Sequence, residues 1–475
     1  MPRLTGFDSV PIRGAKALPF IGVQTNALGF LADPVGRMIA LHREFGDIAA
    51  VTDRSPALVC AFGAERNREV LSNAAVFEND DAFFFKAPPG SAFHSFKSSL
   101  VFLTGATARR HRRLMMPAFQ KASVDGYAAA IVAVTRAALQ TWPVGRTSDI
   151  AALTRELVQH VAVRCFFGLD WATGDRELGD LATETLDRMT SPLTAALPFH
   201  FPGSAYSRLL ETSEQLVDQL RALIAKKRRQ PEGGRDALAL MIAARDEDGS
   251  MFTDEELVAE AATLFIAGHD TQAKTLAWTL FLLEQHPKVL ADVLDEIESV
   301  LRGDPPTVEQ VPRLKLVDRV LKESMRVLAP VPTLFIRVCQ TEARLGPYTL
   351  PKHANVVLSP FITHRDPEVY PEPARFRPER WERLQPALHE YLPFGAGPRM
   401  CLGAGVATLT LRLVLPMILQ RYRLTLAHGA RVSRRVRGNI LGPKHGLPML
   451  IAPQDRRFVR REGVRGDIHE LVDLS

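Results

Sequence analysis

Phe394-Gly395-Ala396-Gly397-Pro398-Arg399-Met400-Cys401-Leu402-Gly403 is the stretch on which the reading of this chain turns. Gly395, Gly397 and Gly403 permit tight turns and let the backbone come close to a flat cofactor. An apolar helix is expected from about Gly403 to Leu419, which puts Cys401 at a helix N-terminus, where the dipole favours a thiolate. A thiolate on a metal accepts hydrogen bonds from surrounding amides, and these tune the metal. A dinucleotide fingerprint is excluded, because neither Gly395-x-Gly397 nor Gly403-x-Gly405 is completed by a third glycine. Read as a lone Gly-x-Gly beside a cysteine, the segment fits an ordinary buried thiol as well, so the rest of the chain has to decide.

Composition narrows the classes. A chain of 475 residues, 46% of them hydrophobic, can bury a large core, and no repeat or low-complexity tract points to a solenoid or a disordered tail. Lys plus Arg number 59 against 53 for Asp plus Glu, a net charge of +6 that does not demand nucleic acid as a partner. Cys60, Cys165, Cys339 and Cys401 lie far apart with no CxxC pair, which argues against zinc, iron-sulfur ligation and a secreted disulfide framework and leads to the expectation of a reducing cytoplasm. The apolar stretch from Ala17 to Ala32 is interrupted by Pro19, Gln24, Thr25 and Asn26, unlike a signal sequence. No segment has the roughly 18 uninterrupted apolar residues of a spanning helix, so no membrane span is expected.

The pattern along the chain predicts a mainly α protein with small β-sheets: one domain over 1–475, with a β-rich N-terminal part to about residue 70 and a helical body beyond. Two β-favouring runs around Ser55-Pro56, between Asp47 and Gly63, read as a hairpin. Apolar residues recur at helical spacing near 125–141, 150–168, 174–190 and 206–229. The strongest helix signal starts at Thr253, with Glu256 three residues on, and stops at Pro287. Its centre, Ala261 to Gly268, is apolar all round and so belongs in the interior. There Gly268 costs about 1 kcal/mol relative to Ala, and His269-Asp270-Thr271 are expensive to bury; a helix that carries both penalties serves a site. Further helices are expected from Pro287 to Gly303 and from Leu314 to Leu328. The proline-rich HRDPEVYPEPARFRPERW from His364 to Trp381 must be a meander or loop.

The ten residues from Phe394 to Gly403 resemble the haem-binding signature of the cytochromes P450, in which Phe, Gly, Gly, Arg, Cys and Gly stand at this spacing; all six are present. The resemblance implies the cytochrome P450 fold with a long helix over haem b, Cys401 as axial iron ligand, Phe394 beside the sulfur, Arg399 on a haem propionate and Gly403 at the cofactor. Ala267-Gly268-His269-Asp270-Thr271 looks like the family's oxygen-activation motif, which implies that Gly268 makes room over the haem for dioxygen and that Asp270 and Thr271 form an acid-alcohol pair relaying protons. Gln272 takes the place of the usual second hydroxyl. Glu323-x-x-Arg326, followed by Pro378-Glu379-Arg380-Trp381 with Trp for the common Phe, implies a structural ion-pair triad of Glu323, Arg326 and Arg380. Arg112 in RRHRRLMMPAF is similar to the Arg of Trp-x-x-x-Arg, with Ala108 at the Trp position, and Arg337 matches a further propionate contact.

By this resemblance the chain is a haem-thiolate monooxygenase that inserts one atom of O2 into a hydrophobic small molecule such as a fatty acid, terpenoid, steroid or polyketide. Electrons are expected from a separate acidic ferredoxin or flavodoxin, steered by Arg109, Arg110 and Arg113. Two alternatives stay open: a peroxide-driven hydroxylase, and a haem-thiolate sensor or electron carrier. Phe83, Phe84, Phe85, Phe93, Phe96, Leu197 to Phe201, Val331 to Leu334 and Ile440-Leu441 fall where the family lines its substrate pocket.

Overall fold

A helix of 32 residues, Asp254–Gln285, organises the protein. Thr253 starts it with a complete capping box: its hydroxyl accepts from the Glu256 amide at 3.2 Å, and the Glu256 carboxylate accepts from the Thr253 amide at 2.9 Å. It ends at His286 because Pro287 has no amide proton for the ladder and instead opens the next helix, Pro287–Leu301. Most of its side chains from Leu257 onward are buried, as its apolar centre requires. The helix Ile150–Phe167 packs against it most extensively. Asp149 caps that helix by accepting from the Ala151 amide at 2.9 Å, and Gly168, at φ 69°, closes it. Ala205–Arg229 packs on both Arg176–Met189 and the central helix.

The computed structural model describes residues 9–17, 22–79, 87–170, 176–191, 193–194, 198–229, 234–458, 460 and 462–474. The helix after the cysteine, Ala404–Arg421, continues through Pro416 beyond its expected end and packs on Ala128–Gln140, Lys315–Val327 and the central helix. The expected hairpin forms, with Ile48–Ala50 antiparallel to Val59–Ala61. It does not stand alone. Asn355–Leu358 pairs parallel with Val59–Ala61, and Arg337–Cys339 and Phe77–Asn79 complete a five-stranded sheet.

The expected β-rich part to residue 70 is therefore corrected in two ways. Its strands need partners from residues 337–358, because a two-stranded hairpin buries too little by itself. Far more of it is helix than strand, as Gly22–Ala32, Pro34–Phe45 and Gly63–Leu71. Asp33-Pro34 is the start signal that the sequence reading passed over: the Asp33 carboxylate accepts from the Gly36 amide at 3.0 Å, with proline at the first helical position. Among the described residues one helical stretch, Lys121–Gln140, is apolar and long enough by composition to cross a membrane. It breaks at Tyr127 and buries Ile131, Thr135 and Leu139 in the protein.

Candidate active site

The loop before Ala404–Arg421 is closed on itself. The Cys401 amide donates to the Phe394 carbonyl at 2.9 Å and the Met400 amide to the Gly397 carbonyl at 3.0 Å. Gly395 and Gly397 sit at φ 69° and 73°, the left-handed region that glycine adopts freely, and a Cβ at Gly397 would stand 2.5 Å from the Leu71 carbonyl oxygen. Gly403 caps the helix, and its amide points at the Cys401 sulfur. Cys60, Cys165 and Cys339 are buried, whereas Cys401 has an exposed side chain although it lies deep in the protein, as a group lining an internal cavity does. Burial pushes its thiol up, against the pull of the Gly403 amide and the Arg112 charge.

Three guanidinium groups converge beside this loop. Arg112 is half-buried and faces Cys401, with burial lowering its pKa. Arg399 donates to the Leu100 carbonyl at 3.1 Å and to the Leu103 carbonyl; burial lowers its pKa, Glu78 opposes this and Arg112 adds to it. Arg337 begins the sheet strand Arg337–Cys339. Burial, then the Arg399 charge, brings its pKa down to about 10, and its Nη1 is buried with no hydrogen-bond partner. A buried, unpaired guanidinium pressed against another is costly unless an anion joins it. The cluster therefore has the chemistry of a bidentate carboxylate site.

On the central helix, polar side chains from His269 to Thr279 turn back onto carbonyls one turn earlier: His269 to Phe265, Thr271 to Ala267 at 3.3 Å, Gln272 to Gly268, Thr275 to Thr271 and Thr279 to Thr275. Ala267 is exposed and Thr271 partly so, in a stretch that is otherwise mostly buried, so this face of the helix is the accessible one. Gly268 does something other than expected. A Cβ there would meet Phe166 Cε2 at 2.6 Å, so the missing side chain makes room for the neighbouring helix Ile150–Phe167. Gly268→Ala should cost about 1 kcal/mol net in urea denaturation: overpacking at about 1–3 kcal/mol outweighs the ~1 kcal/mol that alanine contributes in an open helix. Phe166→Leu in the same chain should restore stability; a stabilised Gly268→Ala single variant would show that the helices are not in contact there.

Asp270 does not lie free beside Thr271. Its carboxylate is held by Arg155 at 3.3 Å and Lys274 at 3.6 Å, and Arg155 reaches on to Asp187 at 2.8 and 3.1 Å. The acid of the expected pair is thus engaged in an ion-pair chain leading to Arg176–Met189.

The family model for "Cytochrome P450" matches residues 12–448. The chain belongs to the cytochrome P450 family. It is 32% identical over 420 residues, 86% of this chain and 89% of the relative, to cyclooctat-9-en-7-ol 5-monooxygenase of Streptomyces melanosporofaciens. It is 28% identical to pentalenene oxygenase of Streptomyces avermitilis, over 90% of this chain and 94% of the relative. In structure it superimposes on a retinoic acid-bound cyanobacterial protein, CYP120A1, with a TM-score of 0.81 over 94% of this chain and all of that one, at 24% identity. This P450 is a haem-binding monooxygenase, and the residues present suit the cofactor: an accessible cysteine beside three guanidinium groups, one with an orphaned buried nitrogen.

Behind the cysteine loop of this P450, Glu323, Arg326 and Arg380 come together. Arg326 binds Glu323 through two nitrogens at 2.8 and 2.9 Å, and Arg380 reaches the same carboxylate at 2.9 Å. Trp381 explains its departure from Phe: its indole N–H donates to Glu323 at 2.8 Å. Arg326 also donates to the His364, Pro373 and Arg375 carbonyls at 2.8 to 3.0 Å, which pins the meander. His364 Nε2 accepts from the Leu392 amide at 2.8 Å, and burial, then the Arg326 and Arg365 charges, lowers its pKa to about 3.

A histidine depressed in the folded state adds stability that is whole above its unfolded pKa and drains away as pH falls toward the folded value. Stability is thus lost from about pH 6.5 toward 3 at up to about 1.4 kcal/mol per pH unit. His364→Gln, whose amide oxygen can accept the same bond, should flatten the fall in urea midpoint between pH 6.5 and 5 by about one proton; equal slopes would count against a neutral His364.

The basic run departs from its expected surface role. Arg110 pairs with Glu256 at 2.9 Å, the exposed Arg113 binds Asp246 at 2.8 and 2.9 Å, and His111 is buried between Glu256 and Glu260; Arg109 is exposed and forms no ion pair among the described residues. The acids that meet them lie in residues 246–260, too far along the chain for local charge counting to find. Of the expected pocket residues, Phe93 and Phe96 are buried edge to face at 5.9 Å, and Leu441 is core, its carbonyl accepting from Trp278 Nε1 at 3.2 Å. Phe199 and Phe201 are exposed. Phe83, Phe84, Phe85 and Leu197 lie outside the described residues.

Proposed function

We propose that this P450 hydroxylates a terpenoid-like apolar molecule, with Cys401 to hold the haem iron, Arg112, Arg337 and Arg399 to hold the haem carboxylates, and Thr271 managing protons on the central helix. The observation that carries the cofactor assignment is the buried Arg337 Nη1 without a partner, beside a second guanidinium whose remaining donors are tied to Leu100 and Leu103. The substrate class is supported by the relatives named for cyclooctat-9-en-7-ol and pentalenene oxidation.

When bound, thiolate-ligated haem supplies activation of dioxygen by two electrons and two protons, so that one oxygen atom enters the substrate and the other leaves as water. The protein's share is positioning. Gly403 directs its amide at the sulfur and Arg112 brings positive charge to it, both favouring the thiolate. The Thr271 hydroxyl donates to the Ala267 carbonyl and keeps its lone pairs free to accept a hydrogen bond. Asp270, clamped by Arg155 and Lys274, holds the helix face in place, and water carries the protons to Thr271. Electrons come from a ferredoxin or flavodoxin; Arg110 and Arg113 are each paired with an acid of this chain, and Arg109 and Arg113 are the arginines of the run exposed for steering.

The test is a panel of cyclic sesqui- and diterpene hydrocarbons and alcohols, read first as a shift of the Soret band and then by turnover with a ferredoxin, its reductase and isotopically labelled dioxygen. Binding and one labelled oxygen in the product are expected. Label arriving only from added peroxide, or Soret shifts confined to fatty acids, would overturn the reading.

A further inference from the structure

Glu260 is a fully buried carboxylate on the central helix, outside every motif described above. Its Oε1 accepts from the Leu100 amide and from His111 Nδ1, both at 2.7 Å, while Oε2 is buried with no partner. Burial pushes its carboxyl up, so the site bears a real cost and the two donors have to offset it.

Both donors lead to the arginine cluster. Leu100 is held on its N–H side by Glu260, and its carbonyl, with that of Leu103, receives the guanidinium of Arg399. His111 is fully buried, fixed at Nδ1 by Glu260 and at Nε2 by Glu256 at 3.2 Å, with its edge against Phe252. Anchoring that ring fixes the rotation of Gly105–Met115 about its axis. Successive residues on a helix differ by about 100°, so it also fixes where the next residue, Arg112, is presented; the charge of Arg112 acts on Cys401. Arg112 and Arg399 repel one another, and like charges stay together only on rigid supports.

We infer that Glu260 is a positioning residue for the haem carboxylate site, clamping Arg399 through Leu100 and aiming Arg112 through His111. The inference rests on the assignment of these arginines to haem. The carboxylate touches neither haem nor substrate; it acts through the two segments it ties to the central helix.

The experiment measures transfer of haem from the holoprotein to excess apomyoglobin, beside the urea midpoint, for wild type, Glu260→Leu, Glu260→Gln, Glu284→Leu and Arg399→Leu. Glu284 is the control, an equally buried carboxylate on the same helix that accepts from the Leu426 amide at 3.0 Å, remote from the arginines. Glu260→Leu should lose haem about tenfold faster, as loss of an outer-shell partner does. Glu260→Gln, which still offers an acceptor to Leu100, should stay near wild type, and Glu284→Leu should lower the urea midpoint without speeding haem loss. Equal haem loss in Glu260→Leu and Glu284→Leu overturns the inference. Wild-type haem loss in Arg399→Leu overturns the arginine assignment beneath it; rapid loss there with wild-type loss in Glu260→Leu sinks the inference alone. If Glu260→Leu does not fold, His111→Leu reads the Arg112 branch separately: faster haem loss supports the proposal and wild-type loss overturns it.

Discussion

Cys401→His should abolish the far-red-shifted Soret band that the reduced, carbon monoxide-bound protein shows, and monooxygenase turnover with it. The protein has four cysteines, so the assignment rests on what separates one from the others. Burial raises the thiols of Cys60, Cys165 and Cys339, opposed at Cys165 only by the single Arg164 charge; Cys60 and Cys339 lie in sheet strands. Cys401 alone is accessible, three residues before the first residue of a helix, with the Gly403 amide and the Arg112 charge turned toward it. Imidazole at 401 can still bind iron, so the variant should keep haem and lose only the thiolate signature, which separates ligand identity from pocket integrity. Cys60→Ala, Cys165→Ala and Cys339→Ala should leave the band in place. A wild-type spectrum typical of histidine ligation, or an unchanged band in Cys401→His, would end the assignment.

What could be read from the sequence followed the range of the forces involved. The central helix was legible at both ends because a capping box and a proline act within a few residues, and the glycines of the cysteine loop because left-handed backbone is a local demand. Gly268 was legible as a strained choice but not in its direction, since only the packed helix shows that its open side meets Phe166. The charges were least legible. Arg113 and Asp246, Arg155 and Asp270, or His111 and Glu260 are brought together by tertiary packing, and each pairing gave a residue assigned to solvent or to chemistry a partner far along the chain. Glu260 carried no signal beyond being an acid among the apolar residues that follow the first turn of the helix, which is itself a cost that calls for a partner.

Thr271→Ala should leave folding, haem content and consumption of reducing equivalents near wild type while product formed per electron falls by more than roughly tenfold, because a positioned proton-transfer group supplies about 10²–10⁴ in rate. The missing electrons should appear as hydrogen peroxide. The hydroxyl is suited to this role by place: it stands on the accessible face of an otherwise buried helix, its proton directed to Ala267, and Ala267 is exposed on the same face. Thr271→Ser, which keeps the hydroxyl without the methyl group, should recover most of the coupling, a result that simple loss of packing would not produce. Asp270→Asn should behave differently from Thr271→Ala. Removing the charge leaves Arg155 and Lys274 facing a neutral amide with Asp187 as the remaining acid of the chain, so the expected loss falls on stability and overall turnover rather than on the share of electrons that reach product. If instead Asp270→Asn uncouples as strongly as Thr271→Ala, the aspartate hands protons to the threonine directly and its two cations must release it during turnover; if Thr271→Ala is as well coupled as wild type, the hydroxyl has no part in proton delivery and the accessible face serves the substrate alone.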